Sequence, residues 1–286
     1  MIKNTGKSIR TRLLNLSRKE GVDYMKVLVR YLHERLLFRI SASPYKSHFL
    51  LKGSSLLFAL DGFKARPTID IDLLGERING DSDTLKAIFQ KICSIECTDD
   101  GVFFDGKSLE LEPIAMEKKY PGTCVTVVAH LDTIVQQISI DIGFGDVVTP
   151  YPLSLDYPLL LPDVPSVELY AYSLETLIAE KFHTMVDRDE SNSRMKDFFD
   201  VYHLFNNHEI DRDVLAEAIV STFRNRNTAY KETLMLFTDT FATDITRNAL
   251  WQSFLKKIRW KDLIPFPVVM QCIKDNLQEY WKKELL

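Results

Sequence analysis

The sequence predicts an α+β protein, a mixed sheet with helices followed by a helical carboxy-terminal domain. Three observations carry that expectation. Segments 69–73 and 138–142 alternate isoleucine or leucine with polar residues at a spacing of two, as strands with one buried face do. Residues 25–37 and those from Ser173 onward space apolar side chains three and four apart, the helical repeat. Between them, Pro150, Pro152, Pro158, Pro162 and Pro165 crowd a stretch, 147–167, that reads as a linker. The expected domains are therefore 1–165, basic amino-terminal helices plus a sheet core, and 166–286, a helical domain.

The elements follow in order. Ile9 to Ile40 reads as two helices, the first holding Leu13, Leu14 and Leu16. The second carries Met25, Leu28, Val29, Leu32, Leu36 and Leu37 on one stripe, with Arg30, Arg35 and Arg39 mostly off it. Phe49 to Leu51 reads as a short strand, Gly53-Ser54 as a tight turn, and Ser55 to Leu60 as the start of a buried helix. Asp83 to Ile92 is helical in pattern. Val102 to Phe104 and Leu109 to Ile114 flank Asp105-Gly106, a hairpin-type signal, and Thr123 to His130 is a β-branched strand. Asp146, after a Gly-Phe-Gly turn, reads as structural or as a loop contact. The region from about Arg212 to Leu286 gives amphipathic segments without recognisable chemistry.

Composition narrows the function classes. The 286 residues bury a substantial core, and no apolar run approaches the length of a membrane span. Residues Met1 to Arg12 are polar and basic, unlike a signal peptide. Cys93, Cys97, Cys124 and Cys272 form no CxxC pairs, so neither a zinc site nor a disulfide framework is indicated, and a reducing cytoplasm fits. Cys93 and Cys97, four apart, would share a helix face. Net charge is −4, yet Met1 to Lys52 holds 12 Lys/Arg against three acids. A basic amino-terminal region on an acidic body suits either a phosphate-binding surface or a solvated helix face.

The chemistry is expected around Arg66-Pro67-Thr68-Ile69-Asp70-Ile71-Asp72-Leu73-Leu74. Ile69, Ile71 and Leu73 would face a core, and Thr68, Asp70 and Asp72 the opposite side. Two carboxylates one pleat repeat apart repel unless a cation lies between them, and a hard divalent ion such as Mg²⁺ suits oxygen donors. Asp141 in the segment 138–142 is a further outward carboxylate, which joins Asp70 and Asp72 if the two strands lie together. The start of the helix after Gly53-Ser54 offers free N–H groups to a phosphate. Lys181 lies at the edge of an apolar helical stripe and needs a partner, as do Asp197 and Asp200 on the next helix. That lysine either forms an interhelical ion pair or reaches a triphosphate while an aspartate orients it. No HExxH pattern, GxSxG elbow or P-loop is present.

Lys52-Gly53-Ser54-Ser55-Leu56-Leu57, Arg66 to Leu74, Asp141 to Asp146, Ala179-Glu180-Lys181 and Arg194 to Asp200, in this order, resemble the AbiEii-type nucleotidyltransferases, toxins of abortive-infection toxin–antitoxin systems. The resemblance covers about two-thirds of the chain. It implies a polymerase β-like nucleotidyltransferase core with a helical domain behind it. It implies Mg²⁺ on Asp70 and Asp72, with Asp141 added on geometric grounds. Gly53, Ser54, Arg66, Thr68, Lys181 and Asp197 would bind the nucleotide, and Asp70, Asp72, Lys181 and Asp200 would carry catalysis. The implied reaction moves a nucleotide from an NTP to RNA, at the tRNA 3′ acceptor end, blocking translation. A winged-helix antitoxin is the implied partner. The chain departs from many relatives in Gly53-Ser54 for Gly-Gly and in Thr68 for serine. Transfer to a small molecule or a protein hydroxyl, and a nucleotide-binding module without catalysis, are the competing readings.

Overall fold

The apolar alternation of the amino-terminal half builds one seven-stranded mixed sheet. The computed structural model describes residues 5–114 and 122–283. The first four residues of the basic stretch and the last three of the carboxy-terminal region lie outside it. In chain order the elements are α1 (Thr5–Glu20), α2 (Tyr24–Ser41), β1 (Phe49–Lys52), α3 (Gly53–Asp61), β2 (Asp70–Gly75), α4 (Ser82–Cys93), β3 (Val102–Pro113), β4 (Gly122–Leu131), β5 (Ile134–Phe144), β6 (Leu153–Tyr157) and β7 (Val167–Ala171). The helices α5 (Leu174–Arg188), α6 (Met195–Asn207), α7 (Arg212–Asn225), α8 (Asp239–Thr243), α9 (Ile245–Ile258) and α10 (Phe266–Leu277) follow. Two compact units result: Met1–Gly145 with Leu153–Ala171, and Asp146–Pro152 with Tyr172–Leu286. No helix among the described residues is long and apolar enough to cross a membrane.

In the first unit the strand order is β3-β4-β5-β2-β1-β7-β6. The β1–β2, β3–β4, β4–β5 and β6–β7 pairs are antiparallel, whereas β1–β7 and β2–β5 are parallel. Register sets the faces. Leu51 lies opposite Leu73, Ile71 opposite Ile140, and Ile140 opposite Val125, so these buried side chains share one face. On it, Phe49 meets Phe89 of α4 at 5.5 Å between ring centroids. Ile69 departs from expectation: β2 begins at Asp70, and Ile69 precedes it, 76% exposed. Thr68 likewise lies ahead of the strand.

Helix α2 departs further. Asp23 caps it, accepting from the Met25 N–H at 2.9 Å, and the helix then runs buried on nearly every side. Arg30, Arg35 and Arg39 are buried rather than off the core. Arg39 Nη1 donates to Asp100 at 2.7 Å and Nη2 to the Val102 carbonyl at 2.7 Å, while Arg35 pairs with Glu34 at 2.7 Å. Three of the twelve basic residues expected to form a surface are therefore internal. A helix packed on all sides must bury its charges, and it holds them by pairing.

Two loop readings change as well. Asp105-Gly106 lies inside β3, where the register against β4 shifts between Asp105 and Glu110; it makes a bulge and not a hairpin turn. The proline-rich stretch contains β6, an edge strand where prolines at the ends interrupt no ladder. Helix α4 ends at Cys93, so Cys97 shares no helix face with it.

The second unit is helical around an aromatic core. Phe182 of α5 packs on Phe223 of α7 at 5.3 Å, and Phe198 of α6 meets Phe266 of α10 edge-on at 5.4 Å. Asp146 is indeed a contact residue: it accepts from Arg226 Nη2 at 2.7 Å and Nε at 3.1 Å.

Candidate active site

The second face of the sheet carries the acids. β2 alternates half-buried Asp70 and Asp72 with buried Ile71 and Leu73, because a pleated strand turns successive side chains to opposite faces. β5 does the same with Ser139, Asp141 and Gly143 against Ile138, Ile140 and Ile142. The two strands are parallel neighbours, and their register sets Asp72 directly opposite Asp141 and Asp70 opposite Ser139. Strands so paired lie about 4.8 Å apart, which brings the three carboxylates onto one patch. Such a donor set, all hard oxygen, fits a divalent ion of the Mg²⁺ type.

The β1–α3 junction closes on that patch. Gly53 has φ of +61°, a conformation only glycine enters without strain. A Cβ there would also stand 2.7 Å from Asp72 Cβ, so the backbone passes against the carboxylate too closely for any side chain. The Ser54 N–H donates to Asp72 Oδ2 at 3.2 Å, and its hydroxyl reaches the same oxygen at 3.3 Å. Ser55 Oγ donates to the Asp70 carbonyl at 3.1 Å. The Gly-Ser junction, expected to cradle phosphate, thus orients Asp72. Thr68 Oγ1 stands 3.5 Å from both the Asp70 N–H and carbonyl, a long contact at the strand's entry. Arg66 is buried.

Two further residues, Cys124 and Lys52, join the aspartates through strand pairing. Cys124 lies opposite Asp141 on β4, and its thiol is pushed up to about 12 by burial and by hydrogen bonding to Asp141, with Asp70 adding to the effect. It therefore stays protonated as a donor to the carboxylate. Lys52 lies opposite Asp72 on β1. The signal for both was strand parity combined with pairing, and pairing is not written in local sequence.

In the helical unit, Lys181 of α5 donates to Asp200 Oδ2 at 2.6 Å and Asp197 Oδ1 at 3.1 Å, both on α6. Arg194 Nε also donates to Asp197, at 2.6 Å. All but Arg194 are buried. Burial alone would raise the Asp197 carboxyl, yet Lys181 and Arg194 outweigh it and hold the group well below the usual carboxylate range. Asp197 is thus held ionised between Lys181 and Arg194. The interhelical pairing that the sequence left open is present, and it engages both acids. The base of α5 is held in turn by Ser173, whose Oγ accepts from the Thr176 N–H at 3.1 Å.

Residues 35–264 match the family described as Nucleotidyl transferase AbiEii toxin, Type IV TA system. Among solved structures the chain is similar to a candidate nucleotidyltransferase from H. pylori, at 14% identity and a TM-score of 0.44, covering 85% of this chain and 100% of that one. It is also similar to JHP933 from Helicobacter pylori, at 15% identity and a TM-score of 0.41, covering 80% and 93%. No curated protein matches the chain.

Proposed function

The chain belongs to the AbiEii nucleotidyltransferase toxin family of type IV toxin–antitoxin systems, and from that premise we propose that it transfers a nucleotide from an NTP to an RNA acceptor, the tRNA 3′ end. Membership makes it a nucleotidyltransferase toxin with a nucleotide substrate and an antitoxin partner. The observation that carries the finer reading is the register that sets Asp72 against Asp141 on the face shared with Asp70. Asp70, Asp72 and Asp141 would hold Mg²⁺, whose charge would neutralise the phosphates during in-line attack on the α-phosphorus.

The chain's own residues do the rest. Ser54 fixes the Asp72 carboxylate through two donors, so that one oxygen stays oriented. Gly53 keeps the backbone close enough for those bonds to form. Arg66 and Thr68, at the entry to β2, are assigned to nucleotide contact with Gly53 and Ser54. Lys181 is assigned to the triphosphate, where an ammonium stabilises charge building on the leaving pyrophosphate. Asp197 and Asp200 hold that lysine in place. RNA as acceptor follows the resemblance and draws on the amino-terminal bases that do reach solvent, including Lys7, Arg18 and Lys19.

The test incubates the protein with total tRNA and each of four α-labelled nucleotides, with Mg²⁺ or with EDTA, beside an Asp70→Asn variant. Label in tRNA-sized bands, lost in the variant and in EDTA, is the expected result. Label in protein or small molecules instead would move the acceptor, and no transfer to anything would leave a nucleotide-binding module. Asp70→Asn should melt like wild type, since its side chain lies off the buried face.

A further inference from the structure

The face that carries Asp70, Asp72 and Asp141 holds an ammonium as well. Lys52, the last residue of β1, lies opposite Asp72, and Asp72 lies opposite Asp141. Cross-strand neighbours share a face, so register lines up a lysine and two aspartates across three strands. Adjacent strands are about 4.8 Å apart, which puts Lys52 and Asp141 two such steps apart at the backbone. The lysine covers most of that gap. A Cβ added to Gly143, the next residue on the Asp141 side of β5, would stand 3.8 Å from Lys52 Nζ. The stem therefore runs over β2, and the charge rests beside β5, although Lys52 is half-exposed and could have turned to water. Gly143 leaves open the space beside that ammonium. A compact, strongly hydrated cation set among carboxylates occupies ground that a divalent ion would also seek.

We propose that Lys52 is a positioning residue of the nucleotide site: its ammonium neutralises the Asp72–Asp141 patch until a nucleotide arrives with its metal, and then pairs with the phosphates. This rests on the reading of Asp70, Asp72 and Asp141 as metal ligands. One charge then has two opposite effects. It repels a bare divalent ion and attracts an anionic nucleotide, so the patch favours metal that comes with phosphate over metal alone. A lysine suits this role because its flexible stem lets the charge move by several ångströms while the strand stays fixed.

The experiment uses the full chain with Lys52→Met and Lys52→Arg, and Asp70→Asn as reference. Mn²⁺ alone is titrated and followed by the paramagnetic signal of the free ion. Each of the four NTPs with Mg²⁺ is titrated calorimetrically, and melting reports the fold. Lys52→Met is expected to bind bare Mn²⁺ on the order of tenfold more tightly than wild type and to bind NTP on the order of tenfold more weakly, the scale of one partly screened charge near a divalent ion. Lys52→Arg, which keeps the charge, is expected to stay close to wild type in both. Lys52→Met binding Mn²⁺ no more tightly than wild type would overturn the proposal. So would equal weakening of both ligands in both variants with a lowered melting temperature, the mark of a structural role. If Asp70→Asn loses Mn²⁺ while Lys52→Met leaves it unchanged, the Lys52 role alone fails. If Asp70→Asn binds Mn²⁺ as wild type does, the metal-ligand reading fails and takes the Lys52 role with it.

Discussion

Single residues carry the site's geometry, and two of them can be tested directly. Gly53 combines a positive φ with a backbone that brushes the Asp72 carboxylate. Gly53→Ala adds a left-handed strain of about 1 kcal/mol and pushes Asp72 from the oxygen position that Ser54 holds. Transfer is expected to fall at least as far as in a Ser54→Ala variant while the fold persists; activity close to wild type would show that Asp72 tolerates displacement. Lys181 is the second case. It is the buried cation shared by Asp197 and Asp200, so Lys181→Met strips both acids of a partner inside the helical unit. A loss of about 3 kcal/mol is expected for breaking a buried pair, read as a lower melting temperature. Activity lost with unchanged melting would place the lysine's work wholly in nucleotide contact. The paired aspartates of β2 were legible because strand parity is a local property. The Lys181 pairing was not resolved, because two helices distant in sequence decide it.

At the scale of elements, α2 behaves least as its sequence suggests. Its apolar stripe identifies a helix with one buried face, yet α2 packs in the core of the first unit and buries its polar side too. Arg30 stacks its guanidinium over the Phe58 ring at 4.3 Å, and Arg39 finds Asp100. His33 is fully buried, and burial, with the nearby Arg30 charge adding to it, lowers its pKa to about 3. The sign follows from linkage. The unfolded chain takes up a proton on this group near its ordinary pKa of 6.5, whereas the folded chain does not until about pH 3. Stability from His33 is full above pH 6.5 and drains as pH falls toward 3, by at most about 1.4 kcal/mol per pH unit. His33→Phe is expected to flatten the acid side of a melting-temperature profile between pH 7 and pH 5. An unchanged slope would mean that other groups set acid sensitivity. Periodicity located α2 within a few residues but said nothing about what covers its second face, since that depends on which elements close over it.

At the scale of the whole molecule, charge distribution bears on the acceptor. The excess of bases in residues 1–52 is smaller at the surface than in the sequence, because Arg30, Arg35 and Arg39 are internal and Arg10 and Arg12 pair with Asp132 and Asp163. RNA binding through what remains should therefore show a shallow salt dependence. A log–log slope of about −2 to −3 is expected for a few phosphate contacts, measured by filter binding of tRNA across a salt series. A much steeper slope would require basic residues beyond the amino-terminal set. By itself the sequence determined the class of the fold, the strands that carry Asp70, Asp72 and Asp141, and the family resemblance, because alternation, helical spacing and short motifs are all local. The tertiary structure alone decided that Asp72 faces Asp141, that Lys52 leans over them, that Asp105-Gly106 is a bulge, and that the proline-rich stretch returns to the sheet as an edge strand. Those outcomes depend on strand pairing and on burial, which are set by contacts between residues far apart in the chain.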